Sequence, residues 1–156
     1  MQTFLPLPDF RLSAEILDNR RLGKQRVEVL QILNSLDPLH PYSGWRNHPA
    51  VKMWRYHENA LALYGLIVCE RWIELGFRDT CHGKIFARID PPMDRRILQQ
   101  KYDLPEEGFL PPWFGDPRFH SSHRSSLLRK FPSWYGRFGW TDPPDLPYFW
   151  PVPGNS

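Results

Sequence analysis

The chain has 156 residues, 41% of them hydrophobic and 24% charged, with a formal net charge of +3. That length can bury a core as a single domain over residues 1–156 without metal or disulfide support, and no stretch approaches the ~20 apolar residues that span a bilayer. Only Cys69 and Cys81 are present, in no metal-ligand spacing, and no apolar leader opens the sequence, so the expectation is a reducing, cytoplasmic protein and not a disulfide framework.

Met1 to Phe10 carries Pro6 and Pro8 and reads as extended. A first helical region is predicted from about Ser13 to Leu36, with Ser13 as N-cap and an interruption at Asp18-Asn19. A loop rich in Pro, His and Gly runs from Asp37 to Asn47. The second helix starts at Pro49, capped by Asn47 or His48, and continues to about Leu75, where Gly76 stops it. Residues 77–92 are ambiguous, and Met93 to Tyr102 reads as a short polar helix. A rigid loop, Leu104 to Pro117, contains Pro111-Pro112-Trp113-Phe114-Gly115. The last helix spans Arg118 to Phe131 and ends at Pro132, before an extended tail from Thr141 to Ser156. The fold class is therefore mainly α, with three main helices joined by long loops rich in Pro and aromatic residues.

Charge placement says more than net charge. Between Pro117 and Trp140 there is no acidic residue, while Arg118, Arg124, Arg129, Lys130 and Arg137 alternate with Phe119, Phe131, Trp134, Tyr135, Phe138 and Trp140. Cations release the counterions of a polyanion, and flat rings stack on exposed bases, so this run suits nucleic acid. A solvated cationic helix followed by core aromatics is the plainer alternative.

Polar residues also fall on arcs that should be core. Advancing ~100° per residue, the first helix places Arg26 among Leu22, Val29, Leu30 and Leu33. The second places His57 among Met53, Leu61, Tyr64, Val68, Trp72 and Leu75. In the last helix His120 and Arg124 share a face with Leu127, Leu128 and Phe131. Buried polar groups need partners or a wet cavity, so an internal polar site for a phosphate or an extruded base is one reading. On the other face of the first helix stand Arg21, Lys24, Gln25 and Glu28. Lys24 and Glu28 form an i,i+4 pair that is either a solvated ion pair or a cationic rim holding one carboxylate beside an anionic ligand. Of the six histidines only His120 and His123 have helical ligand spacing, without a cysteine or carboxylate beside them, so neither metal nor cofactor is expected.

The run Arg21-Leu22-Gly23-Lys24-Gln25-Arg26 with Glu28, the helix introduced by His48-Pro49, and Arg129-Lys130-Phe131-Pro132-Ser133-Trp134-Tyr135 occur in that order. Together they resemble the pyrimidine-dimer DNA glycosylase (endonuclease V-like) family. Gly44-Trp45-Arg46-Asn47-His48-Pro49 and Leu110-Pro111-Pro112-Trp113 resemble a bacterial branch of it. The resemblance implies a small helical domain acting as a DNA repair glycosylase and AP lyase, on duplex DNA with a damaged or modified base. The enzyme would be a nucleoid-associated monomer.

It also implies a Schiff-base route, in which the chain-start amine attacks the sugar C1′ and a glutamate on the first helix assists. Gln2 is too large for ordinary removal of the initiator, so the amine would be that of Met1. The family's glutamate follows an arginine: aligning on Arg26 puts Val27 there, and aligning on the glutamate selects Glu28. The implied catalytic pair is Met1 and Glu28. The implied DNA contacts are Arg20, Arg21, Lys24, Gln25, Arg26, Asn47, His48, His120, His123, Arg124 and Lys130, with Trp134 and Tyr135 stacking beside the opened base step. The alternatives are a non-catalytic nucleic-acid-binding module on this fold, or an enzyme holding a small nucleotide-like ligand with His57, His120 and Arg26.

Overall fold

The computed structural model describes residues 1–40, 44–89 and 109–151. Among them there are helices and extended segments but no strand, the mainly α class that the sequence predicts. The expected helix over 93–102 lies outside the described residues.

The first helical region is two helices. α1 (Phe10–Ile16) starts before the expected Ser13, because the Asp9 carboxylate accepts the Leu12 N–H at 2.8 Å and so caps it. Ser13 is buried inside α1, and its hydroxyl bonds the backbone N–H and C=O of Leu7. The chain turns extended at Leu17 and Asp18, and α2 (Asn19–Leu36) begins there with Asp18 as its cap. The interruption expected at Asp18-Asn19 is thus a full break. Tyr135 secures it, since its hydroxyl accepts the Asp18 N–H and donates to the Asp18 carboxylate.

The predicted second helix is also divided, into α3 (Pro49–Lys52) and α4 (Glu58–Glu74). His48 caps α3 by accepting the Ala50 N–H on Nδ1. Between the two helices the Met53 carbonyl goes to the Trp113 indole N–H, and Trp54 turns inward to donate to Thr3 Oγ1. Tyr56 then takes a left-handed backbone, φ 69°, which a continuous helix does not allow. α4 is buried on all sides from Ala60 to Cys69, where the sequence predicts a one-sided arc; it is the central helix of the fold. Gly65 lets α2 approach, since a Cβ there would sit 2.7 Å from Val29 Cγ1.

A short α5 (His82–Phe86) follows within the ambiguous stretch. α6 (Pro117–Lys130) is capped by Asp116 and has Pro117 in its first turn, close to the expected bounds. Pro132 opens α7 (Pro132–Tyr135), and a 3-10 turn over Gly136–Phe138 precedes the extended tail. The buried face of α6 is mostly polar, where Leu127, Leu128 and Phe131 were expected to set it. It consists of Phe119, His120, Ser122, His123, Ser125, Ser126 and Leu127. The reason lies in what it packs against, two lengths of extended backbone with unpaired polar groups. The tail docks on its serines: Ser125 Oγ accepts the Leu146 N–H, Ser122 Oγ accepts the Phe149 N–H, and Ser126 Oγ bonds the Tyr148 hydroxyl at 2.7 Å.

Candidate active site at the chain start

Residues 2–6 are buried outside any helix and without a strand beside them, so side chains must meet their backbone groups. The Gln25 amide meets two of them. Its Nε2 donates to Gln2 O at 2.8 Å, and its Oε1 accepts the Phe4 N–H at 2.8 Å. The Tyr64 hydroxyl lies 2.8 Å from Phe4 O and 2.9 Å from Gln25 Oε1 and shares its proton between them. His123 Nδ1 accepts the Leu5 N–H at 3.0 Å, His120 Nδ1 donates to Leu5 O at 2.8 Å, and Arg124 donates to Pro6 O at 2.9 Å. This strap fixes the first residues against α2, α4 and α6.

Both histidines are held neutral. Burial pushes His123 down to about 3, with His120 adding to the effect. Burial also lowers His120, against the hydrogen bond to Leu5 O, which favours the charged form. The bonds assign the tautomers: His123 carries its proton on Nε2, and His120 carries it on Nδ1 while Nε2 accepts the Gly115 N–H. Burial likewise drives Tyr64 well above its ordinary value, so it stays a hydroxyl.

The strap ends at Glu28. This carboxylate is only 6% exposed, and its Oε2 accepts the Gln2 N–H at 3.2 Å and the Gln25 amide at 3.1 Å. Lys24 Nζ stands 3.7 Å from the other oxygen, with its side chain 73% exposed. A pair solvated at both ends is thereby excluded. Covalent geometry puts an amine within roughly 3–4 Å of the next residue's nitrogen, which sets the Met1 amine within about 7 Å of this carboxylate. His48 completes the group. Burial lowers its imidazole first, the positive amine lowers it further, and Glu28 opposes both. Its ring meets Trp45 at 5.7 Å and Trp150 at 5.9 Å, both edge to face.

Of the residues expected to act, Lys24, Gln25 and Glu28 meet here, and Met1 and His48 lie near enough for the amine and the carboxylate to act on the imidazole through their charges. Arg20 and Asn47 are exposed on the surface. Arg21 is paired with Asp18. Arg26 turns to the opposite side of α2, bonding Asp79 at 2.6 Å with its guanidinium 4.6 Å from the Trp72 ring centroid. Several expected DNA contacts are used inside the protein. His120 and His123 hold the strap, and Arg124 grips Asp142 through two nitrogens at 2.8 and 3.0 Å. Tyr135 is fully buried, stacked on Trp140 with its hydroxyl on Asp18, so no face is left for a base. Trp134 donates to Ile16 O, and Arg137 covers its ring at 4.0 Å. Lys130 is exposed, its Nζ 5.7 Å from the centre of Phe4. Of His57, His120 and Arg26, the expected holders of a small ligand, His120 is bonded to Leu5 and Gly115 and Arg26 to Asp79. His57 is the half-buried N-cap residue of α4. Among the described residues no three His, Cys, Asp or Glu side chains gather as a metal site.

Sequence reasoning missed Tyr64 as a polar anchor, and it missed Trp45 and Trp150. Trp45 stands inside the Gly44–Pro49 run and Trp150 in the Pro-rich tail, and neither carries a local signal of its contact with His48.

The family model for pyrimidine dimer DNA glycosylase matches residues 1–84. The chain belongs to that family. The matched span holds the strap, Gln25, Glu28 and His48, whereas α6 and the tail lie beyond it. No curated protein and no solved structure gives a significant match. A DNA glycosylase family acts on DNA, and among the described residues no helix is long and apolar enough to cross a membrane.

Proposed function

We propose that the protein is a DNA glycosylase and AP lyase that uses the Met1 amine as nucleophile and Glu28 as its acid-base partner. The observation that carries this is the 3.2 Å bond from the Gln2 N–H to the Glu28 carboxylate, which ties the carboxylate to the residue after the amine. The opposed directions of Arg26 and Glu28 on α2 support Glu28 as the family's glutamate.

In this reading the neutral amine's lone pair attacks C1′ of the damaged nucleotide. The glycosidic C1′–N bond breaks, and the base leaves with the electron pair and takes up a proton. The attached nitrogen gives a proton to Glu28, which delivers one to O4′ as the C1′–O4′ bond opens. A protonated imine then joins the enzyme to C1′. Loss of a C2′ proton expels the 3′ phosphate with the bonding pair, and water hydrolyses the imine to release the enzyme. A buried carboxylate held by two donors is pre-aimed for this relay and needs little reorganisation.

The test is borohydride reduction in the presence of a duplex with one abasic site. An adduct whose mass maps to Met1 is expected. Tight, salt-dependent binding without any adduct would leave a non-catalytic binding module on this fold. An adduct mapping to Lys24 would keep the lyase and move the nucleophile.

A further inference from the structure

A second acid-free stretch precedes the one from Pro117 to Trp140. Residues 38–57 hold no Asp or Glu and carry Arg46, Lys52 and Arg55. The two stretches differ in what their cations touch. Arg118 and Arg124 are bonded to Asp116 and Asp142. Arg46, Lys52 and Arg55 are exposed, and their side chains have no bonded partner among the described residues. Lys52 and Arg55 stand one turn apart, the Arg55 N–H meeting Lys52 O at 3.2 Å. Beside them Tyr56 is 87% exposed with a φ of 69°, a left-handed backbone that a bulky side chain rarely adopts. Local bonds lock it there: its N–H meets Glu58 Oε1 at 3.2 Å, and the His57 N–H meets Trp54 O at 2.8 Å. The strain does nothing for the core, since the ring it turns outward packs into no buried cluster.

Hydrogen bonds fix this segment to the chain start. Trp54, two residues before Tyr56, donates its indole N–H to Thr3 Oγ1 at 3.0 Å. Thr3 follows Gln2, whose N–H is on Glu28 at 3.2 Å. We propose that Arg46, Lys52, Arg55 and Tyr56 form a surface that grips duplex DNA flanking the reacting nucleotide. The cations take phosphates, and the Tyr56 ring is wedged at a neighbouring base step. This deepens the reading above, on which it rests for DNA as the partner. Three exposed cations with no acid among them complement a polyanion and release its counterions. A ring held in place before binding loses little freedom on contact, which is what the locked turn at Tyr56 supplies.

The experiment titrates a duplex with one tetrahydrofuran residue, which cannot form the imine, at several salt concentrations. Arg46→Ala, Lys52→Ala and Arg55→Ala are each expected to reduce the slope of log affinity against log salt by about one unit. Lys52→Arg and Arg55→Lys should keep it. Tyr56→Ala should weaken binding by about 5- to 100-fold with the slope unchanged, and Tyr56→Phe should recover most of the loss. Tyr56→Gly removes ring and strain together, so it should be more stable than Tyr56→Ala in urea unfolding yet bind as weakly. Unchanged slopes for the three cation variants, or unchanged affinity for Tyr56→Ala, overturn the surface. Loss of affinity for poly-glutamate with affinity for the duplex retained would overturn DNA as the partner in favour of an acidic protein. Borohydride trapping on the abasic duplex separates the two readings. An adduct with unchanged slopes overturns the surface and keeps the lyase, whereas reduced slopes without an adduct keep the surface and overturn the lyase.

Discussion

Two parts of this molecule are rich in polar groups and treat them in opposite ways. The strap of residues 2–7 is non-helical backbone drawn largely into the interior, and Gln25, Tyr64, His120, His123, Arg124 and Ser13 bond it there. At its start the strap meets the Glu28 carboxylate, which accepts the Gln2 N–H and the Gln25 amide. The run from Pro117 to Trp140 carries cations close to the surface, and the fold spends much of their charge locally. Arg118 pairs with Asp116 and Arg124 with Asp142, two acids just outside the acid-free window. Arg129 donates to Pro144 O, and Arg137 covers Trp134. In the function proposed above, polarity brought into the interior positions chemistry, whereas polarity concentrated along the sequence mostly holds loops.

The largest effect expected from this contrast comes at the end of the strap. Acetylating the Met1 amine should abolish cleavage of an abasic duplex. Glu28→Gln, which keeps shape but cannot relay a proton, should slow single-turnover cleavage by about 10²- to 10⁴-fold. Binding by Glu28→Gln should be nearly unchanged, because Gln2 and Gln25 can still donate to its amide oxygen. Full cleavage by the acetylated protein would move the nucleophile away from the chain start.

Next comes the strap itself. Gln25→Ala leaves the Phe4 N–H and the Gln2 carbonyl without partners and should cost about 2–4 kcal/mol in urea unfolding. It should also lower activity by more than its stability loss explains, since the amine loses its anchor. Unchanged activity at a temperature where the variant is folded would show that the strap serves stability alone.

His123 gives the strap a pH signature. Its folded value is about 3, against an ordinary value near ~6.5. Between those limits the unfolded chain binds the proton that the folded one refuses, so stability is full above ~6.5 and falls as pH drops toward 3. The total is on the order of 5 kcal/mol. His120, lowered in the same direction, adds to it. His123→Gln, whose side-chain oxygen can still accept the Leu5 N–H, should flatten that slope in urea unfolding measured at several pH values. A slope equal to that of the unaltered protein would clear His123 as its source.

How much of this was legible in the sequence follows from the range over which each signal acts. α6 was readable because Asp116, Pro117 and Pro132 act within a turn of the helix ends they set. The break between α3 and α4 was not, because it depends on Trp113 reaching the Met53 carbonyl across 60 positions. Glu28 and Lys24 were visible as an i,i+4 pair, but the burial of Glu28 comes from the chain start, 26 positions away. On α6, His120 and Arg124 looked like polarity misplaced on an apolar arc, and the serine and histidine face they belong to has another origin. It is the signature of two extended segments that carry no periodicity of their own and so cannot announce where they dock.

The smallest prediction separates the two kinds of cation. Arg124→Ala removes a guanidinium already committed to Asp142 and Pro6 O. It should lower stability, by about 1–3 kcal/mol, and leave the salt dependence of DNA binding as it was. Lys24 is exposed and stands 3.7 Å from its carboxylate, so it keeps a charge free to meet a phosphate. Lys24→Ala should reduce the slope of log affinity against log salt by about one unit, with little change in stability. Titrations at several salt concentrations read both slopes directly. If Arg124→Ala lowered the slope and Lys24→Ala did not, the cations of α6 would be the ones that face DNA. The Asp142 pair would then have to open on binding, exchanging one bidentate partner for another.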